Sequence, residues 1–402
     1  MRRLDVLVVG GGPAGLVAAW EAALHARGAA VTLVERDAGI GLPVRCAEGV
    51  GEAGLREFLD PDGAPWVARR ITKVVLVAPD DTEVAVAGKD VGYILDRSRF
   101  EPALAERAAR AGAEILTATE VTALAREGDG WAATVRSADG EARWHARIVI
   151  GADGVESMVG RWAGLDTRVA SRDMESAAQY LLSGVDCDPD AIYLQFSRRW
   201  APGGYAWAFP KGPGLANVGV GIKSLLADGR SAKGYLDAWV AHRYPGAVAR
   251  GFTVGGVITA VTARRIVADG VLLAGDAAHM INPLSGAGIV SGMKAGRLAG
   301  RHAARALAEG DTSAAALQAY HDEWMALLGR DHVWYYRMND AIHEAGDAFL
   351  DRLARVTNAI PPRKRTLGRV FAHALVRNPS LIPVAARCFA PSRRSGAFEK
   401  LS

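Results

Sequence analysis

Three groups of residues in this chain have the types and spacings that chemistry needs. The first is Gly10-Gly11-Gly12-Pro13-Ala14-Gly15, with Glu35 placed 20 positions after the last glycine. Gly10 permits a tight turn, Gly12 lets backbone N–H groups approach a pyrophosphate, and Gly15 lets a helix pack closely on a strand. The helix that follows the turn points its positive end toward that anion, and Glu35 accepts hydrogen bonds from a ribose diol. The second group, Gly275-Asp276-Ala277-Ala278-His279 continuing to Pro283, Gly286, Gly288 and Ile289, follows about 260 residues later. An Asp at a strand end can hold a ribityl hydroxyl, while Pro and Gly let the backbone approach a flat ligand. His279 reads as a structural hydrogen bond at a helix start. The third group is Tyr205-Ala206-Trp207-Ala208-Phe209-Pro210 with Gly219-Val220-Gly221. Alternation puts Tyr205, Trp207 and Phe209 on one face of a strand, either an ordinary core face or the wall of an apolar slot.

Placing these groups requires particular elements. Leu4–Val9, the glycine turn, Leu16–Leu24 and Ala30–Val34 read as strand, turn, helix and strand, the opening unit of a doubly wound nucleotide fold. The stretch Gly39–Val50, containing Arg45, Cys46 and Ala47, lacks periodicity and reads as a loop. Alternating runs at 71–77, 83–87 and 91–95 predict an antiparallel piece, and Asp96 or Ser98 caps a helix through about Ala111. Strands follow at 114–117, 120–126, 132–136 and 145–150, the last running into Gly151-Ala152-Asp153-Gly154. Between residues 177 and 259, short aromatic and β-branched runs separated by Gly and Pro predict a second, antiparallel sheet. A long helix is expected from about Gly286 to Ala308, with helical pattern thereafter.

Composition narrows the class. With 402 residues, 50% hydrophobic and 23% charged, the chain can bury a large core and is not disordered. Cys46, Cys187 and Cys388 are widely spaced and form no C-x-x-C, so neither a disulfide framework nor a metal site is indicated, and a reducing, cytoplasmic setting is expected. No secretory pattern and no apolar run of spanning length is expected to place the chain in a membrane. The net charge of +4 is uneven: residues 361–402 carry nine Lys/Arg and one Glu, so the preceding body is acidic. Such a tail suits peripheral contact with an anionic membrane surface, a solvated tail being the plain alternative. Nucleic acid is not expected as a partner, because no recognition motif accompanies the charge.

The segments Gly10–Gly15, Asp96-Arg97-x-x-Phe100, Gly151–Gly154 and Gly275-Asp276 with Pro283 together resemble the FAD-dependent aromatic-hydroxylase fold superfamily. Within it, Tyr205–Pro210 with Gly219-Val220-Gly221 and the loop Pro43-Val44-Arg45-Cys46-Ala47-Glu48-Gly49 resemble the geranylgeranyl reductase family, including its archaeal digeranylgeranylglycerophospholipid reductases. That resemblance implies an α/β fold: a Rossmann-type FAD-binding domain (residues 1–75, 96–170 and 260–310), an interleaved antiparallel-sheet substrate domain (76–95 and 171–259) and a helical region (311–402). It implies FAD contacts from the glycine turn, Glu35, Arg36, Arg45, Cys46, Ala47, Arg97 and Val121. Asp153, Gly154, Gly275, Asp276, Pro283, Gly286, Gly288 and Ile289 complete that set. Tyr205, Trp207, Phe209, Gly219 and Gly221 would meet a polyprenyl substrate whose C=C bonds reduced FAD saturates. Cys46 stays open between proton donor, pocket wall and small buried hydrophobe. The electron donor is open between NADPH, ferredoxin and similar carriers, since no second G-x-G-x-x-G with strand and acid occurs. A monooxygenase or halogenase of the same fold is the competing activity; halogenases carry W-x-W-x-I-P, which Tyr205–Pro210 matches only in part. A flavin- or lipid-binding protein without turnover is the non-enzymatic alternative.

Overall fold

The computed structural model describes residues 1–361. The chain enters with β1 (Arg2–Val9), α1 (Pro13–His25) and β2 (Val31–Val34). It then forms β3 (Gly49–Gly51), α2 (Glu52–Arg56), β4 (Val67–Val77), β5 (Glu83–Leu95), α3 (Arg97–Arg110), β6 (Glu114–Leu116), β7 (Glu120–Glu127), β8 (Gly130–Ser137) and β9 (Gly140–Gly151). A short α4 (Val159–Trp162) leads to β10 (Met174–Ser183), β11 (Ala191–Gln195), β12 (Ala206–Gly212), β13 (Leu215–Lys223), α5 (Ala232–Arg243) and β14 (Val248–Ile258). Last come β15 (Val267–Ala268), β16 (Val271–Leu273), α6 (Ile289–Glu309), α7 (Ala314–Trp324), α8 (Arg330–Ala345) and α9 (Asp347–Asn358).

Two eight-stranded sheets organise these elements. The first has a parallel centre in the order β6-β2-β1-β9-β16, with β15 at one edge and the β7–β8 hairpin attached to β9. Its strands are near-continuous Val, Ile and Leu because helices cover both faces. Asp96 caps α3, accepting from the Ser98 N–H, so of the two candidates the aspartate is the cap. The second sheet runs β14-β10-β13-β12-β11-β4-β5-β3. It is antiparallel except at β11–β4, a parallel pair that no local pattern announces. α5 covers one face, where Tyr235, Leu236 and Trp239 pack on Ala178, Leu182, Val218 and Val220. The other face looks toward the nucleotide fold.

The expected boundaries shift in two places. β3 and β4 pair into the second sheet, so the crossing falls well before residue 75. The runs at 83–87 and 91–95 are one strand, β5. The helical region is also shared between the two halves. α7 belongs to the first core, with the Tyr320 hydroxyl donating to Leu273 O at 2.7 Å and Trp324 fully buried. α8 and α9 lie against the second sheet, through Tyr336 to Asp173 and Asn358 to Glu83 O. Among the described residues no helix is long and apolar enough to cross a membrane.

Candidate active site

The glycine turn has the shape its sequence requires. Gly10 has φ +108°, and a Cβ there would stand 2.3 Å from Ala152 O. A Cβ on Gly15 would stand 1.9 Å from Gly10 O, so the first turn of α1 lies directly on the loop. Gly12 is different: a Cβ there would meet nothing within 4 Å, and no side chain caps the helix it begins. The open space in front of uncapped N–H groups is the cradle a pyrophosphate fills. Both oxygens of Glu35 already accept one backbone N–H, from Gly11 at 2.6 Å and Asp37 at 2.8 Å, leaving lone pairs on each for a ribose diol. Glu35→Ala removes a charged acceptor worth about 1.5–3 kcal/mol, so FAD affinity should fall roughly 10- to 100-fold. Titration of apoprotein with FAD checks this; unchanged affinity refutes the role.

Around this turn the distant motifs close a ring. A Cβ on Gly275 would lie 2.9 Å from the Ala14 side chain, which sets the Gly275-Asp276 turn on the start of α1. Burial pushes the Asp276 carboxyl up, and the nearby Arg97 guanidinium opposes that shift. Arg97 in turn pairs with buried Glu101. Desolvation also raises Glu101, again opposed by Arg97. Asn282 Oδ1 accepts the N–H groups of Leu284 and Ser285, shaping the segment from Pro283 to Gly286 (φ +66°) that precedes α6. The Tyr205 hydroxyl reaches across from the second sheet and donates to Ser285 O at 2.5 Å. Burial holds that phenol well above its ordinary pKa, so it remains a donor.

The aromatic face closes the ring from the other side. Trp207 lies flat on β13, where a Cβ at Gly219 would be 2.3 Å from its ring. Phe209 packs against Gly49, and Tyr205 sits edge-on to Trp207 with centroids 5.8 Å apart. Glycine is thus required at 219 by the indole above it. The Trp207 Nε1–H donates to Gln179 Oε1 at 3.0 Å, and Gln179 Nε2 donates to Cys46 O at 2.9 Å. Asn217 and Lys211 reach the same loop through Glu48, at 2.7 and 2.5 Å, and the Arg97 N–H also donates to Glu48. Three strands therefore pin the cysteine loop opposite the glycine turn.

The other residues expected at the cofactor have these surroundings. Arg45 is exposed, and Arg36 is exposed beside Glu156. The Asp153 carboxylate is taken up by Ser157, Met158 and Val159 of its own loop, while Gly154 (φ +76°) forms the turn. Val121 is buried in β7 opposite Val135. His279 bonds Thr167 O, and burial holds its pKa below the ordinary value, in keeping with a structural part. Sequence reading missed Glu48, Gln179, Asn217 and Glu175. For Gln179, Asn217 and Glu175 the one signal is an isolated polar residue in a largely apolar strand; Glu48 lies in the loop before β3.

Glu175 is 7% exposed, and burial raises its carboxyl from 4.5 to about 7. The folded state therefore keeps a proton that the unfolded chain has released above about pH 4.5. Its contribution to stability is intact below that pH and is lost as pH climbs through 7, by up to about 3 kcal/mol. Glu175→Gln should flatten this slope: unfolding midpoints of variant and parent should diverge at pH 8 in the variant's favour, relative to pH 5. Parallel curves would contradict it.

The residues at the glycine turn fit FAD, and the comparisons agree. A family model described as FAD binding domain matches residues 3–188 and 256–328, and one described as geranylgeranyl reductase catalytic domain matches residues 173–258. A digeranylgeranylglycerophospholipid reductase from Methanoculleus marisnigri is 39% identical over 385 residues, covering 94% of this chain and 96% of its own. A crystal structure of a geranylgeranyl bacteriochlorophyll reductase-like protein from Thermoplasma acidophilum superposes with TM-score 0.87 at 31% identity, covering 96% of this chain and all of that one. A flavin-dependent brominase superposes with TM-score 0.68 at 20% identity, covering 96% of this chain and 93% of that one, a likeness of fold alone. The chain binds FAD and belongs to the geranylgeranyl reductase family of FAD-dependent oxidoreductases.

Proposed function

We propose that this protein saturates isolated C=C bonds in the geranylgeranyl chains of a glycerophospholipid. The observation that carries the reading is the aromatic face of Tyr205, Trp207 and Phe209, pinned through Gln179 to the Cys46 loop and through Ser285 to the flavin-side segment. FAD, when bound and reduced, supplies hydride to an alkene carbon. The chain's own residues hold and dry the slot. Glu35 and the N–H groups at the start of α1 hold the dinucleotide, while Arg97 and Asp276 face each other where the two motifs meet. Tyr205, Trp207 and Phe209 give an apolar wall against which a prenyl chain excludes water. Cys46 closes the wall opposite them. Reducing equivalents come from an external donor such as NADPH, ferredoxin or a similar carrier.

The test is a single turnover without oxygen. Flavoprotein reduced with dithionite is mixed with a digeranylgeranyl glycerophospholipid, and flavin absorbance is followed. The reading expects reoxidation and a product heavier by two mass units per bond reduced. Reoxidation that requires oxygen and yields a hydroxylated or halogenated product sinks it.

The expected membrane contact rests on the basic tail, whose residues 362–402 lie outside the described residues. With each Lys or Arg near an anionic surface worth about 1 kcal/mol, deleting that tail should abolish co-sedimentation with phosphatidylserine vesicles. Added salt should weaken binding of the full chain. Equal binding by both forms removes the proposal of tail-mediated contact.

A further inference from the structure

Saturating an alkene adds a hydride to one carbon and a proton to the other, and the proton needs a source inside a dry slot. On β10, Glu175, Ala177 and Gln179 share the face that looks toward the nucleotide fold, because alternate residues of a strand do so. Gln179 holds the Cys46 loop, so Glu175 stands two pairs further along the same wall. Its Oε2 lies 3.0 Å from where Gly221 would place a Cβ and 3.2 Å from the corresponding point at Gly204. A Cβ at either glycine would press on this carboxyl. Glu175 accepts no hydrogen bond from a described residue, an unusual state for a buried carboxyl. The charged and titratable groups facing it are Lys223 on β13 and Tyr205 just before β12. Behind Lys223, Asp340 and His343 on α8 feel the same ammonium. His343, Gly204 and Arg198 line one small crevice between the loop before β12 and α8–α9.

We propose that Glu175 delivers the proton in the reduction of each C=C bond and is reprotonated from solvent through the crevice at His343. The proposal rests on the reductase reading above. In the step, the carboxyl O–H breaks and its proton forms a C–H bond with the π electron pair. The other alkene carbon takes hydride, with its two electrons, from reduced FAD. Glu175 is left as carboxylate. A carboxyl that titrates near neutral pH suits a donor that must be protonated before each cycle and recharged after it.

Two measurements test this. In oxidised, substrate-free flavoprotein, infrared difference spectra should show a carboxyl titrating near pH 7 in the parent and missing in Glu175→Gln; its persistence in the variant overturns the assignment. In the anaerobic single turnover with a digeranylgeranyl glycerophospholipid, the parent rate should be flat below about pH 7 and fall about tenfold per unit above it. Glu175→Gln, checked to bind FAD with an unaltered spectrum, should be at least about 100-fold slower and lose that limb. Glu175→Asp, which keeps a carboxyl, should retain a limb with a displaced midpoint; an undisplaced limb in the Asp variant, or the parental limb in the Gln variant, refutes the role. If the reduced parent itself is not reoxidised by the lipid, the reductase reading has failed instead.

Discussion

Gly296→Val is expected to leave little folded, yellow protein. Gly292, Gly296 and Gly300 recur every fourth residue on α6 and so share one face. That face meets α1 backbone to backbone: a Cβ at 296 would stand 2.1 Å from Ala14 O and 3.0 Å from Ala18 N, and one at 300 would stand 2.5 Å from Ala18 O. A side-chain clash can relax by changing rotamer, but these contacts are with main chain and relax only if the helices part. Overpacking of this kind typically costs 1–3 kcal/mol or more, roughly, against a total stability of about 5–15 kcal/mol. Function suffers before stability is exhausted, because α1 carries the glycine turn and α6 continues from the Pro283–Gly288 segment. Flavin content per chain and the thermal midpoint measure the effect, with Gly296→Ala falling between parent and Val. A valine variant that retains flavin and melts like the parent would show that the helices do not pack as described.

Glu48→Ala should be destabilising by about 3–5 kcal/mol and should disorganise the cysteine loop. Glu48 is 1% exposed and receives Lys211, Asn217 and the Arg97 N–H. Removing the carboxylate strands a poorly hydrated ammonium and two further donors, each of which then bears a desolvation penalty without return. Glu48→Gln keeps acceptor capacity for the neutral donors but not the charge, so its loss should be smaller. Denaturant unfolding of the three proteins gives the ranking. A distinct signature accompanies it: with the loop released from β12 and β13, the Ala variant should show altered Trp207 fluorescence even where it is fully folded. A fall of less than about 1 kcal/mol would place Glu48 among ordinary surface ion pairs.

These expectations differ in how far they could be read before folding. The glycine turn, its helix and Glu35 were legible because every requirement there is local: a positive φ, a close approach over five residues, a strand that ends where an acid stands. The same holds for the Gly275-Asp276 turn and for the alternation of Tyr205, Trp207 and Phe209, where the period of a strand alone decides which side chains share a face. The family resemblance, resting on those motifs, carried FAD and reductase chemistry with it, and the matched family models and relatives bear both out.

What tertiary structure decided is convergence. Nothing near Glu48 in sequence indicates that Lys211 and Asn217 will meet it, since those contacts depend on the register of β12 with β13. The parallel β11–β4 pair and the capture of β3 and β4 by the second sheet arise from crossovers whose loops carry no pairing instruction. Asp153 shows the reverse case, a motif residue whose carboxylate caps its own loop. Glu175 was invisible for the plainest reason. A lone acid in a strand reads as solvent-facing until a glycine of β13 and another in the loop before β12 are seen to lie against it, and burial, a property of the whole fold, is what turns that carboxylate into an acid near neutral pH.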